Sequence, residues 1–305
     1  MRIWALAALK ISISVLLLWW LASRLDFPAV VISFQMMDVG AATFAFLFLL
    51  LYGVVSAERW RRICRKLRVV LPFGSALRLF FISMFFNQTL STTIGGDAAR
   101  VWLLRERGYP TYMAVAGVVH ERIAGLLGLG VLAVLSTTLF TNATVWGAPV
   151  LAAAGVVAAI ILGAASWRPV GPRRLRRGLR VCRLARRILL SSEGLQILVL
   201  SLVIHAIGGI AIHQVARAMG LSLDFWACLL VVPPTLLLAT FPISIGGWGV
   251  REAALVAVLT PLGAPAGDAF MVSVIFGVLV MAAGLPGGVL WLFRHGAHER
   301  SIPTG

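Results

Sequence analysis

Charge is what this chain is short of. Asp, Glu, Lys and Arg make up 12% of its 305 residues, about half of the roughly 25% carried by soluble domains. Acids are the scarcer sign, 11 against 27 Lys and Arg, of which only Lys10 and Lys66 are lysine, a bias given no functional weight. The longest polar stretch runs only from Trp167 to Glu193, which leaves no room for a soluble domain. Cysteine is sparse too: Cys64, Cys182 and Cys228 stand alone, two of them assigned to loops, with no spacing for a disulfide framework or a thiolate metal site. The signatures of a serine hydrolase elbow, a phosphate-binding Walker loop and a zinc-binding H-E-x-x-H helix are missing. ATP hydrolysis by this chain is therefore not expected, and neither is a cofactor or a metal.

Apolar residues fill the space instead. Hydrophobic side chains are 60% of the chain, and the mean hydropathy is +0.96. Apolar runs of 18 residues or more recur, the length needed to span a bilayer as helix. The expected fold is all-α and polytopic, a single membrane domain over 1–305. Full spans are expected at about 3–22, 39–56, 111–140, 148–166, 194–216 and 269–293. The first run lacks a small-residue cleavage site and reads as a retained helix. The net charge of +16 does not point to nucleic acid, because the bases cluster in short segments between apolar runs. One such run, Glu58 to Arg68, holds six bases against one acid and reads as a cytoplasmic loop. Another, the linker 168–193, holds nine arginines before Glu193 and suits either a topology-setting loop or an interfacial helix on anionic lipid. Both termini then fall in the cytoplasm, and the membrane is the cytoplasmic one.

Two segments do not read as simple spans. In the first, 73–107, the apolar run stops at Asn87 and is followed by Gln88, Ser91, Thr92, Thr93, Gly95, Gly96, Asp97 and Arg100. Backbone that leaves the helix at membrane depth is tolerated only where protein or a watery cavity satisfies its N–H and C=O groups. A broken, re-entrant hairpin follows. The second, 225–262, is interrupted at Phe241-Pro242-Ile243-Ser244-Ile245-Gly246-Gly247. Ile94-Gly95-Gly96 and Arg100 match Ile245-Gly246-Gly247 and Arg251 at an offset of 151 residues, and Thr93 matches Ser244. The topology closes as span, span, hairpin, span, twice over, with repeat A at about 1–141 and repeat B at about 146–294 in inverted orientation. That pattern belongs to transporters, with the binding site at the contact between repeats.

Within this frame Arg100, Arg251 and Arg122 are candidates to hold a lipid phosphate, since a guanidinium offers two parallel donors to an oxyanion. Arg100 and Arg251 can equally pair with Asp97 and Glu252, and that alternative stays open. His120-Glu121-Arg122 lies about ten residues into an apolar span, where ionisable groups mark function or bracing. One expectation is that Glu121 or Arg122 braces the broken backbone of a hairpin. Asn87, Gln88, Thr93 and Ser244 are candidates to line a cavity or to cap hairpin backbone, and Pro242 to break it. His205 and His213 lie two turns apart on one span and are expected to bond across helices.

Three ordered motifs carry a resemblance. The N-Q-x-L-x-x-x-x-G-G-D-A-A-R stretch at 87–100, Glu121-Arg122, and F-P-I-S-I-G-G-W-G-V-R-E-A at 241–253 resemble the membrane domain of the lysylphosphatidylglycerol synthase family. The resemblance covers nearly the whole chain. It implies a lipid-handling membrane protein, and it carries over Asn87, Gly95, Gly96, Asp97, Arg100, Glu121, Arg122, Pro242, Gly246, Gly247 and Glu252. Larger relatives add a soluble aminoacyl-transferase domain that this chain lacks, so aminoacyl transfer is not implied. Thr92-Thr93 stand where the resemblance leads one to expect proline. The function expected is flipping of a phospholipid or a polyprenyl-phosphate-linked lipid. The alternative is an accessory protein that presents a lipid to a glycosyl- or aminoacyl-transferase partner, and a third reading is a small-solute transporter.

Overall fold

The computed structural model describes residues 35–89, 95–139, 191–226, 228–229, 232–233, 235 and 248–293. These form seven continuous α-helices: α1 (Val39–Lys66), α2 (Phe73–Thr89), α3 (Gly95–Glu106), α4 (Thr111–Leu139), α5 (Ser192–Ala218), α6 (Val250–Leu259) and α7 (Ala266–Leu292). A 3₁₀ turn, Thr260–Leu262, follows α6, and the described residues between 225 and 235 are also helical. Four helices, α1, α4, α5 and α7, are long and apolar enough to cross a membrane. The protein is a multi-pass membrane protein. The expected spans at 3–22 and 148–166, and most of the linker 168–193, lie outside the described residues.

The intermediate helices are short. At 1.5 Å per residue, α2 with 17 residues reaches about 25 Å and α3 with 12 about 18 Å, both less than the ~30 Å hydrocarbon layer. Only residues 90–94 separate them. They lie side by side, because the Gly96 N–H donates to Asn87 Oδ1 at 2.9 Å. Asn87 does not end α2, which continues two residues to Thr89; its side chain reaches across and satisfies the first turn of α3 instead. A Cβ on Gly96 would sit 2.1 Å from the Ser83 carbonyl oxygen, so only glycine permits this approach.

The long helices fix the frame. α1 and α5 run antiparallel, since the Asp38 N–H donates to the Ala218 carbonyl at 2.8 Å while Arg65 and Lys66 pair with Glu193. Asp38 caps α1 by accepting from Gly40 and Ala41, and Ser191 caps α5. These are the side-chain acceptors that orphaned first-turn N–H groups require. α2 packs on α7, where a Cβ on Gly287 would lie 1.9 Å from the Phe81 carbonyl oxygen. Small residues let helix backbones approach closely where apolar surface gains nothing from leaving lipid.

The basic run from Glu58 is not a loop. It is the last two turns of α1, and Cys64 within it is buried. Arg and Lys are good helix formers, and Glu58 pairs along the helix with Arg61 and Arg62, each at 2.7 Å, the spacing that supports a helix. The chain turns only at Arg68, with φ +61°. Ser56, Arg59, Trp60 and Ile63 in this stretch are buried, so its inner stripe belongs to the core.

Two cores result. One gathers Trp60, Ile63, Leu79, Ile82, Leu103, Leu104 and Ala114, with Ile197 from α5. The other gathers Ile212, Leu229, Leu255, Val258 and Val272, with Leu129 and Leu132 from α4.

Candidate functional site

Five ionised side chains meet inside the first core. Arg100 on α3 is 4% exposed and donates to Asp97 Oδ1 at 2.5 Å and to Glu121 Oε2 on α4. Arg59 Nη2 donates to the other oxygen of Glu121 at 3.4 Å, and its Nη1 to Ser201 Oγ on α5 at 3.0 Å. Arg122 Nη2 donates to Asp97 Oδ2 at 2.8 Å. The Arg100 guanidinium also lies 5.2 Å from the Trp60 ring centroid and 5.4 Å from that of Phe80, distances at which a cation is attracted to an aromatic face. Three cations face two carboxylates, so the cluster carries one net positive charge. Unpaired charge in an apolar interior is prohibitively costly, and every charge here has an opposite partner. Arg122 alone has a substantially exposed side chain, at 47%.

A second pair sits in the other half. Glu252, fully buried, lies in the first turn of α6 and accepts the N–H of the N-cap residue Gly249. Gly249 has φ +85°, a conformation glycine adopts without the Cβ penalty. Arg251 donates to Glu252 Oε1 from Nε at 3.0 Å and from Nη2 at 2.5 Å. Ser273 on α7 donates to the same oxygen at 3.2 Å. Trp248 lies against the guanidinium, 4.5 Å from its ring centroid. A Cβ on Gly277 would fall 2.1 Å from Arg251 Nη2, so α7 leaves a slot for this side chain.

Arg251 of this second pair also lines a cavity of about 270 Å³. Its wall is mostly apolar, with Leu49 from α1, Phe80 and Met84 from α2, Ile204 and Ile212 from α5, Val232, and Phe276 and Val280 from α7. Among the described residues six polar side chains break that wall: Tyr52, Asn87, Gln88, His205, Thr235 and Arg251. Apolar walls with a few placed polar groups are the usual build of a small-ligand site. Three of the six polar groups carry a buried atom with no hydrogen bond: Gln88 Oε1, His205 Nδ1 and Thr235 Oγ. No group of acids, histidines and cysteines fit to hold a metal occurs among the described residues.

The chain matches the family model described as the lysylphosphatidylglycerol synthase TM region over residues 7–287. It belongs to this family. No individual curated protein matches it. The match is to the TM region, a membrane domain linked to lipid modification or flipping, and no synthetase domain is matched. The resemblance read from the three motifs is thus the family itself.

Within this TM region the expected site residues separate into two groups. Arg251, Asn87 and Gln88 reach the cavity. Arg100, Asp97, Glu121 and Arg122 form the ion cluster with Arg59, and Phe80, whose ring lies 5.4 Å from the Arg100 guanidinium, lines the cavity. The ion pairs of Arg100 with Asp97 and of Arg251 with Glu252 are both present. Glu121 and Arg122 each bond to a side chain of α3. Gly95 and Gly96 are buried in the first turn of α3. Thr93, Pro242, Ser244, Gly246 and Gly247 lie outside the described residues.

Sequence reasoning missed Arg59, Ser201, Ser273, Tyr52 and Thr235. Arg59 could have been found, because Ser56, Arg59, Trp60 and Ile63 follow the i, i+3, i+4, i+7 spacing of one helix face. Reading the run as a loop hid that stripe. His205 does bond across helices, its Nε2 donating to the Gly125 carbonyl at 2.9 Å. His213 Nδ1 lies 3.8 Å from Cys228 Sγ.

Proposed function

We propose that this TM region translocates a phosphate-bearing lipid between the leaflets of the cytoplasmic membrane. The headgroup would pass through the cavity bounded by α1, α2, α5 and α7, while the acyl or prenyl chains stay in the bilayer. The observation that carries the reading is the cavity itself. It is apolar enough for the neck of an amphiphile, holds one arginine, and lies where helices broken in sequence come together.

The helix contacts support two inverted repeats. On the repeat reading α1 corresponds to α5, α2 to the 225–235 segment, α3 to α6 and α4 to α7. α1 and α5 lie antiparallel, as a two-fold axis in the membrane plane requires. α2 packs on α7, and Leu229 and Val232 cluster with Leu129 and Leu132 of α4. In each half a glycine of the second span faces a side chain of the next helical segment: Gly53 faces Phe81, and Gly209 faces Leu229. Arg100 reaches a residue of the helix after it, Glu121, and Arg251 similarly reaches Ser273. On this reading α2 and α3 form a re-entrant hairpin from the cytoplasmic face, and 225–262 forms its counterpart from the other side. The basic ends of α1 and α3 then face the cytoplasm, as do both termini.

Arg251 is the phosphate contact in this scheme, since Nη1 donates no hydrogen bond to the described residues. Arg100 and Arg122, bound to carboxylates, hold the first hairpin to α4.

The test is leaflet exchange in proteoliposomes. Vesicles carrying the protein should exchange a fluorescent phospholipid or a short-chain polyprenyl phosphate faster than protein-free vesicles. Binding of lipid without any exchange would move the reading to a protein that presents its lipid to a transferase partner.

A further inference from the structure

The cavity's unsatisfied atoms have a chemical sense that Arg251 does not share. His205 Nε2 lies 2.9 Å from the Gly125 carbonyl oxygen, and a carbonyl only accepts, so Nε2 carries the ring proton. A second proton would place a cation in apolar surroundings with no carboxylate partner, which is strongly disfavoured. The imidazole is therefore neutral, and Nδ1 presents a lone pair. Gln88 Oε1 is an amide oxygen and accepts only. Thr235 Oγ both accepts and donates. His205 and Thr235 are each 6% exposed, and all three atoms lack a partner in a wall they share with Arg251. Arg251 and Glu252 neutralise each other, so this wall has little to offer a doubly charged group.

Buried acceptors left empty are costly, and a phosphodiester cannot fill them because all its oxygens accept. A phosphate on Arg251 would leave two acceptors and a hydroxyl facing whatever follows it in the headgroup. We propose that His205, Gln88 and Thr235 form a hydrogen-bond-accepting subsite beside Arg251, which selects headgroups bearing a donor beyond the phosphate. That donor is a hydroxyl or an ammonium. This deepens the transport reading and rests on it for the phosphate end alone. A bare phosphomonoester, with about −1.5 to −2 charges at neutral pH and no donor beyond the phosphate itself, fits this wall poorly.

The test uses the full chain in detergent with three lipids of identical acyl chains: phosphatidylmethanol, phosphatidylglycerol and phosphatidylethanolamine. Phosphatidylmethanol keeps the phosphodiester and lacks any donor. After equilibration at equal mole fraction, lipid retained by the purified protein is measured by mass spectrometry. Phosphatidylglycerol or phosphatidylethanolamine should be retained over phosphatidylmethanol by about tenfold, the scale of one or two hydrogen bonds. Preference for the first assigns the donor as hydroxyl, and for the second as ammonium. His205→Phe, Gln88→Leu and Thr235→Val should each bring the ratio toward one. Should His205→Phe fail to fold, Thr235→Val, nearly isosteric, still decides. Equal retention of the three lipids by the wild type, or a preference unmoved by the variants, overturns the subsite. Leaflet exchange on the same preparations separates the two readings. A preference without exchange sinks transport and keeps the subsite, and exchange without preference does the reverse.

Discussion

Arg100 and Arg122 bind the same carboxylate, Asp97, from opposite situations. Arg100 is enclosed and shared between Asp97 and Glu121, whereas nearly half of the Arg122 side chain is exposed. Removing one partner from a buried ionic cluster strands the others, at a cost of about 3–5 kcal/mol; an exposed pair is worth about 1 kcal/mol or less. Arg100→Ala is therefore expected to lower the unfolding midpoint in detergent severely, and Arg122→Ala only slightly. Equal effects would contradict this division. Gly277→Ala makes a different prediction. Its new methyl would push the end of the Arg251 side chain away from Glu252, so the unfolding midpoint should fall and lipid retention should drop several-fold. At this scale the sequence was informative about residue types and silent about partners. Asp97, Arg100, Glu121 and Arg251 stand out as charges in apolar surroundings, but nothing in the order of residues says that Glu121 takes Arg100 and Arg59 together.

Among the elements, the short pair α2 and α3 is held by backbone proximity that only glycine allows. In Gly96→Ala the methyl would collide with the Ser83 carbonyl at 2.1 Å, a fixed backbone atom. Overpacking of this kind costs about 1–3 kcal/mol, and the separation of α2 from α3 should also open the Asn87 cap. Thermal denaturation checks the first effect, and hydrogen exchange at the Gly96 amide checks the second. The break between these helices was legible because Asn, Gln, Ser, Thr and paired Gly interrupt an apolar run. The far end of α1 was not, because a basic cluster after a span has the same composition whether it is loop or helix. There the i, i+3 and i, i+4 pairing of Glu58 with Arg61 and Arg62 settles it, and a polarity reading overlooks that spacing.

For the whole molecule, hydropathy anticipated all four long helices and closely bounded three, since 18 or more apolar residues leave few alternatives, while α1 runs ten residues past its expected end. How the halves meet was not legible, because contacts such as Phe81 on Gly287 join residues far apart in the chain through shape alone. The proposed inverted arrangement predicts sidedness. Cysteines placed at Gly74 and Tyr112 should react with an impermeant reagent from one face, and those at Trp226 and Ala266 from the other. All four reacting from one face would contradict the arrangement.

The central claim is that the cavity is the path of the headgroup, and Gly208 offers the most direct test. It lines the cavity, and a Cβ built there meets nothing within 4 Å. Gly208→Trp should fold, fill the cavity and reduce leaflet exchange in proteoliposomes to the protein-free rate. Gly74→Trp, at an equally open position away from the cavity, should exchange lipid like the wild type. Exchange by Gly208→Trp at the wild-type rate would mean that the headgroup travels elsewhere.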